Sequence, residues 1–336
     1  MVERLERFVV RPRGDVVVTR RRALPAHPAL APLAEHLADP DVTDLFVNGD
    51  AGLFVDRGRG AEPVADWPLR GDEVRALAVG LIGLGGRHID DAHPCVDVRI
   101  AGGVRVHAVL APVASDGTAI SIRVPRWERI DLDALEREGA FPSARRAELE
   151  ELVARRRNVL ITGSAGSGKT TLLAALLERV PPGERIVTIE DVAELRIDHP
   201  HHVRLEARQP NLEGAGGVDL PRLVREALRM RPDRLVVGEC RGAEVRELLS
   251  ALNTGHDGGA GTLHANGIAD VPARLEALGA LAGLAPPALA RQVVSAIHAV
   301  VHLERAADGR RRIAGVGRPA LAGDRLTLEE QSWRSG

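Results

Sequence analysis

Asn158-Val-Leu-Ile-Thr162 runs straight into Gly163-Ser164-Ala165-Gly166-Ser167-Gly168-Lys169-Thr170, and Thr171-Leu-Leu-Ala-Ala-Leu-Leu-Glu178 follows. The first five residues predict a short buried strand and the last eight a helix. The glycine-rich stretch between them fits G-x-x-x-x-G-K-[ST], the loop whose backbone N–H groups wrap the α- and β-phosphates of a nucleotide. Lys169 is the only lysine among 45 lysine and arginine residues. The exception has a chemical reason. The site needs a compact ammonium on a flexible stem, and a guanidinium donates in a rigid fork. Residues 163–171 are therefore the predicted nucleotide-binding segment.

Moving outward, apolar runs ending in acids recur. Leu235-Val-Val-Gly238-Glu239 predicts a core strand that delivers a carboxylate beside the loop. Ile189-Glu190-Asp191 repeats the arrangement on another strand. Phosphoryl transfer needs Mg²⁺ held near the β- and γ-oxygens and an acid to orient or deprotonate the attacking water. Glu239 fits either task, directly or through a metal-bound water, and Glu190 is a second candidate. Leu252 to Asn266 is dense in glycine and carries His256 and His264. It reads as a loop whose glycines let backbone approach a ligand closely.

Around these motifs strands alternate with helices. Ser143 to Arg157, with Ser143 as N-cap, Leu220 to Met230 and Ala243 to Leu252 have helical patterns; Arg185–Glu190, Val203–Glu206 and Arg234–Gly238 have strand patterns. Alternation of this kind implies a parallel sheet covered on both faces. The first ~125 residues differ and read as α+β. Pro28–Ala38 and Asp72–Leu84 predict helices, and Asp41–Asn48 with Leu53–Asp56 predicts a hairpin. Val96–Ile100, Val104–Leu110 and Ala119–Val124 alternate with period two, so one face packs while the other displays Asp97, Arg99, Arg105, His107 and Arg123. The change of pattern divides the chain at the Pro125–Asp131 segment, into residues 1–126 and 127–336.

Bulk composition narrows the function. The chain has 336 residues, 44% of them hydrophobic, enough to bury sizeable cores. Aromatic residues make up 2%, with no tyrosine, which argues against a stacking platform for single-stranded nucleic acid. A formal charge of −2 gives no global attraction to a polyanion. The runs Arg20–Arg22, Arg155–Arg157 and Arg310–Arg312 read as solvated ends of elements. Cys95 and Cys240 follow no metal or redox spacing, and a reducing compartment is expected. The charged start, Met1–Arg7, lacks a secretory pattern, and no long uncharged apolar window predicts a span. His199, His201 and His202 have no acidic or cysteine partner at metal-binding spacing.

GSAGSGKT (163–170), TIEDVAEL (188–195), RMRPDRLVVGECRGAE (229–244) and NTGHDGGAGTLHAN (253–266) together resemble the four boxes of the secretion, or traffic, ATPase superfamily, in family order. VTDLFVNGD (42–50) and residues 96–123 resemble the branch that assembles tight-adherence (Flp) pili. The resemblance implies a RecA-like P-loop NTPase domain preceded by a smaller α+β N-terminal domain, assembled as a homo-hexamer. It implies ATP and Mg²⁺ as ligands, with Lys169 and Thr170 on phosphate and metal and Glu239 as catalytic acid. Glu190 would be a second catalytic acid, His264 would be the His-box residue, and Arg99, Arg105 and Arg123 would face the phosphates in cis or from a neighbouring subunit. A motor at the cytoplasmic face of the membrane follows, meeting inner-membrane platform proteins peripherally and binding no nucleic acid stably. A conjugation-linked DNA-transfer ATPase and a nucleotide-binding scaffold are the competing expectations.

Overall fold

The computed structural model describes residues 27–124, 130–208, 215–306 and 309–331. The Arg20–Arg22 run and residues 125–129 of the expected linker lie outside them. Two compact units make up the chain, Met1–Glu128 and Arg129–Gly336.

In the first unit a 3₁₀ turn, Pro28–Leu33, runs into α1 (Ala34–Ala38). Then come β1 (Asp44–Asn48), β2 (Leu53–Asp56), β3 (Ala61–Pro63), α2 (Gly71–Leu84), β4 (Cys95–Arg99), β5 (Arg105–Val109) and β6 (Ala119–Arg123). The strands form one sheet in the order β3-β2-β1-β6-β5-β4, with every pair antiparallel. Period two is obeyed strictly: Leu45, Val47, Val96, Val98, Val106, Ala108, Ile120 and Ile122 are buried against Val74, Leu77 and Leu81 of α2. Each such Val, Leu or Ile contributes roughly 1.5–3 kcal/mol by leaving water.

The second unit holds α3 (Leu132–Arg137), α4 (Arg146–Ala154), β7 (Val159–Gly163), α5 (Lys169–Leu177), β8 (Ile186–Glu190), β9 (His202–Glu206), α6 (Leu220–Leu228), β10 (Arg234–Cys240) and α7 (Glu244–Leu252). It continues through β11 (Ala260–His264), α8 (Val271–Leu281), α9 (Pro286–Ala296), β12 (Ala299–Arg305), β13 (Arg311–Ala322) and β14 (Arg325–Gln331). The sheet order is β14-β13-β12-β7-β11-β10-β8-β9. β12 through β9 are parallel, and β13 and β14 add antiparallel strands at one edge. Successive strand residues feed opposite cores. Val159, Ile161 and Val236 pack with α3, α4 and α5, whereas Leu160, Leu235 and Val237 pack with α6 to α9. This two-sided burial is why the strands read as continuous apolar runs.

Two features differ from the sequence reading. Ser143 opens a 3₁₀ turn whose N-cap is Pro142, and no side chain caps it; the Ser143 hydroxyl bonds Glu136 instead. The glycine-rich stretch contains β11, a buried central strand. Its glycines serve close packing: a Cβ on Gly259 would lie 2.8 Å from the Leu235 carbonyl oxygen, and one on Gly261 3.3 Å from Leu248. β11 lies between β7 and β10, so the strand that carries Glu239 is two strands from the one that leads into the loop. Buried Asn158 fixes that insertion, accepting from the Gly258 and Gly259 N–H groups at 2.8 and 3.0 Å and donating to the Ala296 carbonyl at 2.7 Å. Among the described residues no single helix is long and apolar enough to cross a membrane; Ile268–Leu281 and Pro286–Ala296 suffice only together and are bent by 117°.

Candidate active site

The site lies at the carboxyl ends of the parallel strands, where open α/β sheets bind ligands. Gly163 ends β7 with φ +152°, and a Cβ there would sit 2.4 Å from the Leu303 carbonyl oxygen, so only glycine lets the loop leave the sheet here. Gly168 caps α5 in the left-handed region, which turns the first N–H groups of α5 toward an incoming phosphate. The Lys169 ammonium is buried and donates to the Gly163 and Ser164 carbonyls at 2.9 and 2.8 Å. Of its three N–H donors, two hold the loop and one remains for a phosphate oxygen. Burial pushes the Lys169 pKa down, and Glu239 opposes that shift.

Glu239 owes its position to a bulge. Val237 of β10 pairs with Gly261 of β11, but Leu263 pairs with Cys240, so Gly238 and Glu239 together face Thr262. The Thr262 hydroxyl donates to the Gly238 carbonyl at 2.6 Å and pins the bulge. One extra residue shifts the alternation. Cys240 takes the core face that holds Leu235 and Val237, where burial pushes its thiol pKa up. Glu239 is kept out of that core. Its carboxylate accepts from Arg241 at 2.6 Å, with the glutamate side chain 31% exposed. Lys169, Glu239 and Arg241 lie close enough to influence one another electrostatically.

Glu190, at the end of β8, has a different environment. It is buried, and Oε1 accepts from the Glu194 and Leu195 N–H groups at 2.9 Å each. Oε2 is buried with no partner among the described residues. Burial raises its pKa above the ordinary carboxyl range. Its stem presses on β10, where a Cβ on Gly238 would lie 2.5 Å from Glu190 Cγ. The glycine before Glu239 is thus required by the acid of the neighbouring strand. Glu190 holds the 191–195 turn, and Glu239 is the acid open to a ligand.

His264 ends β11 in register with Gly163, and the next N–H, of Ala265, reaches the Gly163 carbonyl at 3.3 Å. His256 lies before β11, bonded through Nδ1 to the Ala251 carbonyl at 3.2 Å. Of the two, His264 is the one that stands in register with the P-loop strand. His202 bonds Thr188 at 2.9 Å, and burial lowers its pKa to about 4; His199 bonds the Pro181 carbonyl. No three metal-ligating side chains converge among the described residues.

In the first unit, cross-strand register aligns Arg99 with Arg105, Arg105 with Arg123 and Arg123 with Asp44. Three guanidinium-bearing residues therefore share one row of the sheet's displayed face. His107 and Asp97 form the next row, Nδ1 to Oδ1 at 2.9 Å. The sequence reading missed Arg241, Thr262 and His302. Arg241 could have been found from its place two residues after Glu239; the other two depend on strand order.

A P-loop at the end of a parallel strand and an acid two strands away define a RecA-like P-loop NTPase with an α+β N-terminal unit. The family described as type II/IV secretion system protein matches residues 74–326. A Mycobacterium tuberculosis (strain H37Rv) protein named for conjugal transfer is 48% identical over 311 residues, covering 90% of this chain and 88% of its own. The type IV secretion system protein PtlH of Bordetella pertussis is 34% identical over 275 residues, covering 75% and 80%. The solved structure of the pilus retraction motor PilT with bound ADP superposes with a TM-score of 0.61 at 21% identity, covering 93% of this chain and 84% of that one, a likeness of fold. The chain belongs to the type II/IV secretion system protein family and is an ATPase of that class.

Proposed function

We propose that the protein works as a homo-hexameric motor that hydrolyses Mg²⁺-ATP to drive Flp/Tad-like pilus assembly or type II/IV secretion at the cytoplasmic face of the membrane. Peripheral contact with inner-membrane platform proteins would transmit the work. The supporting observation is the bulge that holds Glu239 out of the core and electrostatically close to Lys169. Thr170 supplies a hydroxyl at the first turn of α5 and Glu239 a carboxylate. With phosphate oxygens and water, that donor set suits Mg²⁺, which needs no all-protein cage. The ion would neutralise charge on the β- and γ-phosphates. Glu239 would accept the proton of the attacking water, Glu190 steadies the β8–β10 contact, and His264, in register with Gly163, would face the bound phosphates. Arg105 and Arg123 supply positive charge from the N-terminal unit, in cis or from a neighbouring subunit.

Phosphate release from Mg²⁺-ATP, measured alongside particle mass, tests this reading: turnover by a six-membered species supports it, and full turnover by a monomer removes the ring. A second reading, a DNA-transfer ATPase, is favoured by the conjugal-transfer name of the 48% identical relative. Stimulation of turnover by single- or double-stranded DNA would select it, and indifference to DNA would select protein export.

A further inference from the structure

His302 lies on β12, directly across from Thr162 of β7, with a side chain only 3% exposed. Its Nδ1 is 2.8 Å from the Thr162 hydroxyl, and the ring lies beside the Asn266 backbone, which favours its protonated form. Thr162 immediately precedes the P-loop, and Asn266 is two residues beyond His264. Leu263 of β11 stands in register with Thr162 from the other side, so the bridge spans the row just beneath Gly163 and His264. A backbone link runs beside it. The Gly163 carbonyl accepts from the Lys169 ammonium at 2.9 Å and from the Ala265 N–H at 3.3 Å. The entry to the P-loop and the exit from β11 are thus tied twice, once through main chain and once through a buried imidazole.

The hydrogen-bond roles follow from the chemistry. Buried polar groups in a dry sheet need partners on both sides. With Nδ1 facing a hydroxyl, the remaining nitrogen carries the N–H of the neutral tautomer. Thr162 then donates to Nδ1. Burial holds the imidazole pKa below its ordinary value, with Lys169 adding to that and Glu304, Asp270 and the Asn266 backbone opposing it. A purely structural core position would be filled as well by leucine or valine, as its neighbours Val300, Val301 and Leu303 are. A ring that bonds the strand before the phosphate loop and lies beside the segment after His264 has a geometry suited to linking their movements.

We infer that His302 is a positioning residue for ATP hydrolysis, acting through Thr162 and Asn266 to set the P-loop and the His264 segment relative to each other. It touches no substrate. Its contribution is to keep His264 in place when Lys169 and the loop engage phosphate, so its removal slows turnover more than it weakens nucleotide binding. The inference rests on the hydrolytic reading of this site.

The full-length protein tests it through Thr162→Val, His302→Leu and the double variant. Thr162→Val keeps the side-chain shape in a buried strand and exchanges the hydroxyl for a methyl, so thermal unfolding of each variant is measured alongside turnover. Expected are kcat values about tenfold or more below the parent for each single variant, the scale of a small misplacement near reacting groups. Affinity for a fluorescent ATP analogue should stay near that of the parent. The double variant should be no slower than the slower single, because both changes cut one bridge, and Thr162→Ser should restore turnover. Parent-like kcat in a folded Thr162→Val, losses that multiply in the double variant, or a fall in affinity matching the fall in kcat each overturn the assignment. Failure of the hydrolytic reading would show separately, as an inert parent protein.

Discussion

The two sheets solve the problem of presenting polar groups in opposite ways. The parallel sheet of the second unit is buried on both faces, so β7, β8 and β10 have no free face on which to carry chemistry. Its functional groups collect at strand ends: Lys169 after β7, Glu190 at the end of β8, Glu239 on the bulge of β10 and His264 at the end of β11. The antiparallel sheet of the first unit has one packed face, and Arg99, Arg105 and Arg123 share the terminal row of the other. A parallel sheet concentrates chemistry at one edge, where helix N-termini add their positive ends. An antiparallel sheet with one packed face can also carry it on side chains that stand out from the other face.

That contrast predicts an order of sensitivity. The largest effect belongs to Lys169. Lys169→Ala should weaken nucleotide binding and stop turnover, and Lys169→Arg should fail as well, since the fork cannot reproduce two carbonyl bonds and a phosphate contact. Normal hydrolysis by Lys169→Arg would break the account of the lone lysine. Next is Glu239→Gln, which should keep nucleotide binding and lower kcat by ~10²-fold or more, the scale of general-base removal. If Glu190→Gln proves the more damaging change, the roles drawn from their environments are reversed.

The displayed face of the first sheet gives the third test. Arg105→Ala and Arg123→Ala should each reduce turnover by about tenfold or more, as expected when a guanidinium that stabilises transition-state charge is lost. Parent-like phosphate release by both would make the row a solvated surface and leave all chemistry at the parallel-strand ends. A smaller effect, on stability, follows for Gly238→Ala. Its Cβ would meet Glu190 Cγ at 2.5 Å, and overpacking of this kind costs typically 1–3 kcal/mol, readable from the denaturant midpoint.

The smallest effect is a pH dependence at Glu190. Its folded pKa is raised, first by burial, so the folded chain holds a proton that the unfolded chain gives up. Stability from that proton is complete below the unfolded pKa and is lost as pH rises through the folded one. Glu190→Gln cannot titrate. The stability of the parent relative to this variant should therefore decline as pH rises above the ordinary carboxyl range. A flat difference in thermal midpoints would mean that the carboxylate is not strained by burial.

Much of this was legible in the chain itself. The P-loop between an apolar run and a helix-forming run fixed β7 and α5, because a glycine-lysine pattern of that spacing has few other uses. Period-two alternation gave the displayed arginines of the first unit, since one face of an antiparallel sheet must be apolar. The acids at 190 and 239 were visible as ends of apolar runs, although their roles were not. Local pattern carries a residue's neighbours along the chain, and those suffice wherever one element makes the feature. Tertiary structure decided what depends on strand order. The insertion of β11 between β7 and β10, the bulge that sends Cys240 rather than Glu239 into the core, and the bridge from Thr162 through His302 to Asn266 all join residues from different strands. Neighbours in a parallel sheet are set by crossovers rather than by sequence distance, so these contacts have no signature in the sequence until the sheet has formed.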